Sequence, residues 1–136
     1  MTKEYLNPST LFPSLQYGFS QIVTSQGGRT VYLSGQVAWD QDQKIVGADD
    51  FAAQVWQTFK NLEIAMHAAG GNLRDIVSMR IYIVEKHLND HDNQHVSEAL
   101  KRFFDQNAAP ATTWVGVRAL ANKEFLIEIE AVAVIE

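Results

Sequence analysis

Apolar and polar residues alternate from Ile76 to Val84, with Val77, Met79, Ile81 and Ile83 set against Ser78, Arg80 and Tyr82, a period of two that predicts a strand with one apolar face. The period changes to three and four in the preceding segment, where Val55, Phe59, Leu62, Met66 and Ala69 fall on one side of a helix. Asp49-Asp50 offers that helix a cap and Gly70-Gly71 a stop. A second helix is expected to begin at Asn89 or Asp90, turn Val96, Ala99, Leu100 and Phe103 towards the sheet, and end near Gln106-Asn107, ahead of Pro110.

Two β-rich runs, Phe19–Ser25 and Arg29–Gly35, flank Gln26-Gly27-Gly28, where glycine can supply positive φ, and together they predict a hairpin. Ala111–Leu120 and Phe125–Ile135 supply two more strands, with Asn122-Lys123-Glu124 turning between them. The predicted order is ββαβαββ, an α+β fold with both helices on one face of the sheet. In the last strand Ile127, Ile129, Ala131, Ala133 and Ile135 share one face, while Glu128, Glu130, Val132 and Val134 share the other. With the helices on the first face, Val132, Val134 and Trp114 would lie in water, and such a patch marks association. An oligomer is therefore expected.

Composition narrows the setting. A chain of 136 residues with 46% hydrophobic content can close a core unaided, and no repeat or linker divides it, so one domain over residues 1–136 is expected. The formal charge of -5, with both signs mixed along the chain, leaves no basic stripe for a phosphate backbone, and nucleic acid is not an expected partner. The absence of cysteine excludes disulfides, thiolate nucleophiles and cysteine zinc sites. With a polar N-terminus and no apolar run of membrane-spanning length, a cytoplasmic chain without a membrane partner is the expectation.

Several separated motifs resemble the RidA/YjgF family, the reactive-intermediate deaminases, across almost the whole chain. Asn7-Pro8, Phe19-Ser20-Gln21, Leu33-Ser34-Gly35-Gln36, Gln54 with Asn61, Ala68-Ala69-Gly70 and Asp75-Ile76-Val77 occur in family order. Phe103-Phe104, Pro110-Ala111 and Ile127-Glu128-Ile129-Glu130-Ala131 follow. The resemblance implies a chorismate-mutase-like fold with a mixed sheet, a homotrimer whose sheets form a central barrel, and a small-molecule ligand in each intersubunit cleft. It also implies cofactor-free hydrolysis of 2-imino or enamine acids to 2-keto acid and ammonia.

The resemblance assigns the catalytic carboxylate that manages water to Glu128, and ligand contacts to Phe19, Ser34, Gly35, Ser97, Thr112 and Trp114. The family arginine that grips the substrate carboxylate directly after Pro-Ala is replaced here by Thr112. Two charge-assisted bonds are thereby reduced to one neutral donor, a loss of about a hundredfold or more in affinity. Phe19 replaces a common tyrosine, Ser97 an asparagine and Trp114 a cysteine. Arg118 lies six residues along the strand from Thr112, about 20 Å, too far to substitute within one chain; Arg80 on a neighbouring strand is the other candidate cation.

Rival constellations are weaker. His87, His91 and His95 would form a metal-binding ladder on a continuous helix, but His87-Leu88-Asn89 reads as loop and the segment as polar surface, so no metal is expected. Ser34 lacks the flanking glycine elbow of a nucleophile. Three functions remain: an imine or enamine deaminase acting on something other than the usual 2-imino acids, a non-catalytic metabolite-binding or regulatory trimer, and an endoribonuclease or translation inhibitor, against which the acidic balance argues.

Overall fold

The computed structural model describes residues 1–136. Its elements are β1 (Thr2–Leu6), β2 (Ile22–Gln26), β3 (Arg29–Gln36), α1 (Phe51–Ala68), β4 (Ile76–Val84), α2 (Asp90–Phe103), β5 (Ala111–Val117) and β6 (Ile127–Ile135). Four strands form a mixed sheet in the order β3-β6-β4-β5, with β4 and β5 parallel and the other pairs antiparallel. This is the expected α+β arrangement, with one strand added at the N-terminus.

Both helices pack on one face of the sheet. Val55, Phe59, Leu62 and Met66 of α1 are fully buried with Val96, Ala99 and Leu100 of α2, against Met79, Ile81 and Ile83 of β4 and the apolar face of β6. Asp50 caps α1 through Ala53 N–H, and Asn89 caps α2 through Asp92 N–H, each satisfying one of the donors a helix start leaves unpaired. The second helix ends at Phe103, earlier than expected, and a 3-10 turn over Gln106–Ala108 occupies the remainder of the predicted span. Asp105 starts that turn by accepting from Asn107 N–H, a side-chain cap that competes with helix continuation.

The predicted hairpin does not form between β2 and β3. Instead β2 pairs with β1, from Thr2 opposite Gln26 to Leu6 opposite Ile22. Ser20 bridges to Ala111, the first residue of β5, whereas Arg29 pairs with Ile135 at the opposite edge. The chain between them therefore crosses the end of the sheet. It turns a corner at Gly27 and Gly28, at φ 77° and 79°, and a Cβ on Gly28 would lie 2.7 Å from the Ile135 carbonyl oxygen. That corner covers Val134, which is buried, contrary to the expectation that it faces water; Val132 is half-buried. β1 escapes a pattern reading because Thr2, Lys3 and Glu4 are polar; it is held instead by Lys3 Nζ, which donates to the Asp75 carbonyl at 3.2 Å.

One buried polar group ties the framework together. Gln54 of α1 is fully buried, and its amide donates to the carbonyls of Gly47 and Glu124 at 3.1 and 3.0 Å while accepting from Leu126 N–H at 2.9 Å. Two turns later Asn61 donates to the carbonyls of Val37 and Trp39 at 2.7 and 2.9 Å. These amides fix the exit of β3 and the entry to β6. Gln54→Leu strands the Leu126 N–H and the Glu124 carbonyl, and urea unfolding at constant protein concentration should register a loss of about 2–4 kcal/mol.

Candidate functional site

The predicted ligand residues fall into two groups on opposite faces of the sheet. Thr112 and Trp114 of β5 stand in register with Met79 and Ile81, on the helix side. Glu128 of β6 stands in register with Tyr82, on the open side. Within one chain Thr112 and Glu128 do not share a site.

On the helix side, β5, the first turns of α2 and the loop before β2 enclose a cleft of about 750 Å³. Phe19, Ser97, Thr112 and Trp114 all line it. The loop is held in shape by Asn7, whose side-chain Oδ1 accepts from Gln21 N–H at 2.8 Å, and by Ser14, whose hydroxyl donates to the Phe19 backbone carbonyl at 2.8 Å. Phe19 lies 6.1 Å from Trp114, 6.2 Å from Phe12 and 6.5 Å from Tyr17, ring centre to ring centre, forming an aromatic wall. The Trp114 indole N–H donates to the Thr112 hydroxyl oxygen at 2.9 Å, so Thr112 is already engaged by its neighbour. Sequence reasoning missed Phe12, Tyr17 and Asn93; the cluster of aromatics before β2 was the available signal.

On the open side, Gly35, Tyr82, Leu120, Glu128 and Glu130 line a hollow of about 310 Å³. The pairing of β3 with β6 shifts between Leu33 and Gln36, a bulge that contains Ser34 and Gly35. Ser34 is exposed there. A Cβ on Gly35 would lie 2.0 Å from a Glu128 carboxylate oxygen, so the glycine is needed to seat this acid. Burial raises the Glu128 carboxyl above the usual glutamate range, and repulsion from Glu130 adds to the effect. Glu130 accepts from the Tyr82 hydroxyl and lies 3.6 Å from the Arg80 guanidinium. Sequence reasoning put Glu130 on the face of Glu128 and named Arg80 as a candidate cation, but did not join them, or Tyr82, to the acid.

Neither alternative cation reaches Thr112 within the chain. Arg80 is on the open face with Glu130, and Arg118 lies beyond the end of β5 in a separate hollow with Lys86 and Lys123. The histidine ladder is also broken. His87 sits in a 3-10 turn before α2, stacks on Phe51 and contacts the Asp92 carboxylate through Nδ1 at 2.8 Å. His91, Asp92 and His95 bring ligand atoms within 4.8 Å of one another, but one Asp92 carboxylate oxygen is already engaged by His87 and Asn89.

This fold, with its helix-side cleft and its glutamate-bearing open face, defines a chorismate-mutase-like α+β protein. The family model described as endoribonuclease L-PSP matches residues 12–135, and the chain belongs to that family, the RidA/YjgF family. It is 34% identical over 118 residues to the 2-iminobutanoate/2-iminopropanoate deaminase of Dermatophagoides farinae, covering 87% of this chain and 86% of that one. A crystal structure of YyfB from Yersinia pestis, a Rid-family protein of unknown function, superposes with a TM-score of 0.92 at 36% identity, over 99% of this chain and 100% of that one. RidA from the Antarctic bacterium Psychrobacter sp. PAMC 21119 gives 0.68 at 30% identity, over 86% and 88%. No helix is long and apolar enough to cross a membrane.

The raised Glu128 carboxyl has a consequence for stability. Because the folded chain holds this proton to higher pH than the unfolded one, the group favours folding fully below the ordinary glutamate range and loses that contribution as pH rises through the raised value. Glu128→Gln should therefore melt above the wild type at pH 7 and with it at pH 3, as measured by scanning calorimetry.

Proposed function

We propose that the chain is a hydrolytic deaminase of small imines or enamines, acting without a cofactor in clefts between three copies of itself. The observation that supports this reading is the division of the expected site between the two faces of the sheet. Association that lays the open face of one copy beside the aromatic cleft of another would complete the site. The open face has apolar surface to bury: Tyr32 is 79% exposed and shares that face with Val132. Light scattering should give a particle of about 46 kDa, three times the 15.3 kDa chain; a 15 kDa particle at micromolar concentration would sink the reading.

In the proposed reaction a water oxygen adds to the imine carbon while the C=N electron pair moves to nitrogen and takes up a proton. The resulting carbinolamine then passes its O–H proton to the amino nitrogen as the C–N bond breaks, giving a carbonyl compound and ammonia. Glu128 is the group assigned to accept the proton of water and return one to nitrogen, and a carboxyl held above its ordinary range is better matched to that exchange near neutral pH. Ser34 and Gly35 shape the site around it. Phe19, Ser97, Thr112 and Trp114 receive the rest of the substrate.

The replacement of arginine by Thr112 supports a substrate other than the 2-imino acids, and it also favours a second reading, a non-catalytic trimer that holds a metabolite. RNA cleavage, the activity in the family's name, has less support: no basic side chain lines the cleft. Imines can be generated in situ from threonine or serine by a dehydratase. Carbonyl release from 2-iminobutyrate and 2-iminopropionate should be slow with wild type and faster with Thr112→Arg combined with Trp114→Cys, which frees the position from its indole partner. Turnover of a neutral imine should disappear in Glu128→Ala; turnover that persists removes the glutamate from the mechanism, and silence across a broad imine panel leaves the binding reading.

A further inference from the structure

The helix-side cleft has an electrostatic character opposite to that required by a carboxylate ligand. Asp90 is its one formally charged side chain; no lysine, arginine or histidine lines it. Four aromatic rings, Phe12, Tyr17, Phe19 and Trp114, present π faces or edges to the space, and Phe12 and Tyr17 are 56% and 45% exposed. The face of an aromatic ring is negative and attracts cations.

Two polar atoms in the same wall lack partners. The side-chain carbonyl oxygen of Asn93 and the hydroxyl of Ser20 are both buried and make no hydrogen bond in the chain, and Ser20 as a whole is 1% exposed. A buried acceptor left unpaired is costly, and a side-chain rotation that turned it to the cleft would let a ligand's N–H satisfy it. The Thr112 hydroxyl oxygen, by contrast, is already used by Trp114.

We propose that this cleft selects ligands presenting a positively charged or N–H-donating nitrogen beside an apolar body, and discriminates against carboxylates. The nitrogen lies against the aromatic wall within reach of Asn93 and Asp90. This specificity rests on the reading that the cleft is the ligand site, and it gives that reading a substrate class: amine-derived imines in their protonated, iminium form. Positive charge on the C=N unit makes its carbon a better target for water, so a cleft that favours the cation also favours the reactive form.

Three probes of similar size separate the charges: 2-phenylethylammonium, 2-phenylethanol and phenylacetate, each titrated calorimetrically into the assembled protein. The ammonium should bind roughly tenfold tighter than the alcohol, from cation–π attraction and the Asp90 carboxylate, and phenylacetate weakest of all. Asp90→Asn, an exposed change at the start of α2, should narrow the gap between ammonium and alcohol, and added salt should do the same in wild type. Trp114→Leu should weaken the ammonium most, with circular dichroism confirming the fold.

Phenylacetate binding as tightly as the ammonium, above all if Arg80→Ala abolished it, would overturn the proposal by placing a cation from a neighbouring copy in the cleft. Absence of binding by all three probes, or ammonium binding indifferent to Trp114→Leu, would overturn it as well. The deaminase reading is judged separately by carbonyl release. Ammonium preference without turnover of any imine sustains the cation-selective cleft and refutes the deaminase; Glu128-dependent turnover without that preference does the reverse.

Discussion

Two amides on α1, one buried and one half-buried, determine where the strands bearing Glu128 and Gly35 lie. Gln54 bonds to the segment that enters β6, and Asn61 bonds to the segment that leaves β3, so the strand carrying Glu128 and the strand carrying Gly35 are referenced to the same helix. An apolar residue at either position would fill space without direction. An amide buried with its partners in place accepts one arrangement and penalises every displaced one. A Cβ on Gly35 would come within 2.0 Å of the Glu128 carboxylate and push it out of this seat.

From that framework the two faces of the sheet acquire different electrostatics. The open face places Glu128 and Glu130 two residues apart on one strand, with Tyr82 and Arg80 engaging Glu130 and leaving Glu128 to bear the cost of burial. The helix face offers rings, amides and hydroxyls. A carboxyl raised by burial and an aromatic cleft are thus kept apart in the chain. Thr112 and Trp114 belong only to the second of them: the indole donates to the threonine hydroxyl and lies tilted against Phe19 in the aromatic wall.

Much of this was legible in the residues themselves. The spacing of Val55, Phe59, Leu62 and Met66 gave the buried face of α1, and Asp50 and Asn89 marked both helix starts, since these are local effects of periodicity and capping. The path of β2 was not legible. Two glycines at positive φ fit a hairpin or a corner equally well, and the choice was made by β1, whose polar Thr2, Lys3 and Glu4 gave no strand signal. Val134 was misplaced for the same reason, because its cover comes from that corner. Motif resemblance picked out Glu128, Thr112 and Trp114, and alternation put Glu128 on the open face; Trp114, expected in water beside Val132, lies on the helix side instead, because how β5 pairs with β4 is a non-local property.

Gly35 is not in the left-handed region, so its backbone alone would admit alanine; it is the Glu128 carboxylate that excludes a side chain there. The two positions are therefore joined by sterics as a pair. A homologous chain that gives up the acid gains freedom at the glycine, and one that acquires a side chain at the glycine has already moved the acid. Reading these two columns together in a set of relatives would separate lineages that retain the acid's seat from those that have abandoned it, without reference to any substrate.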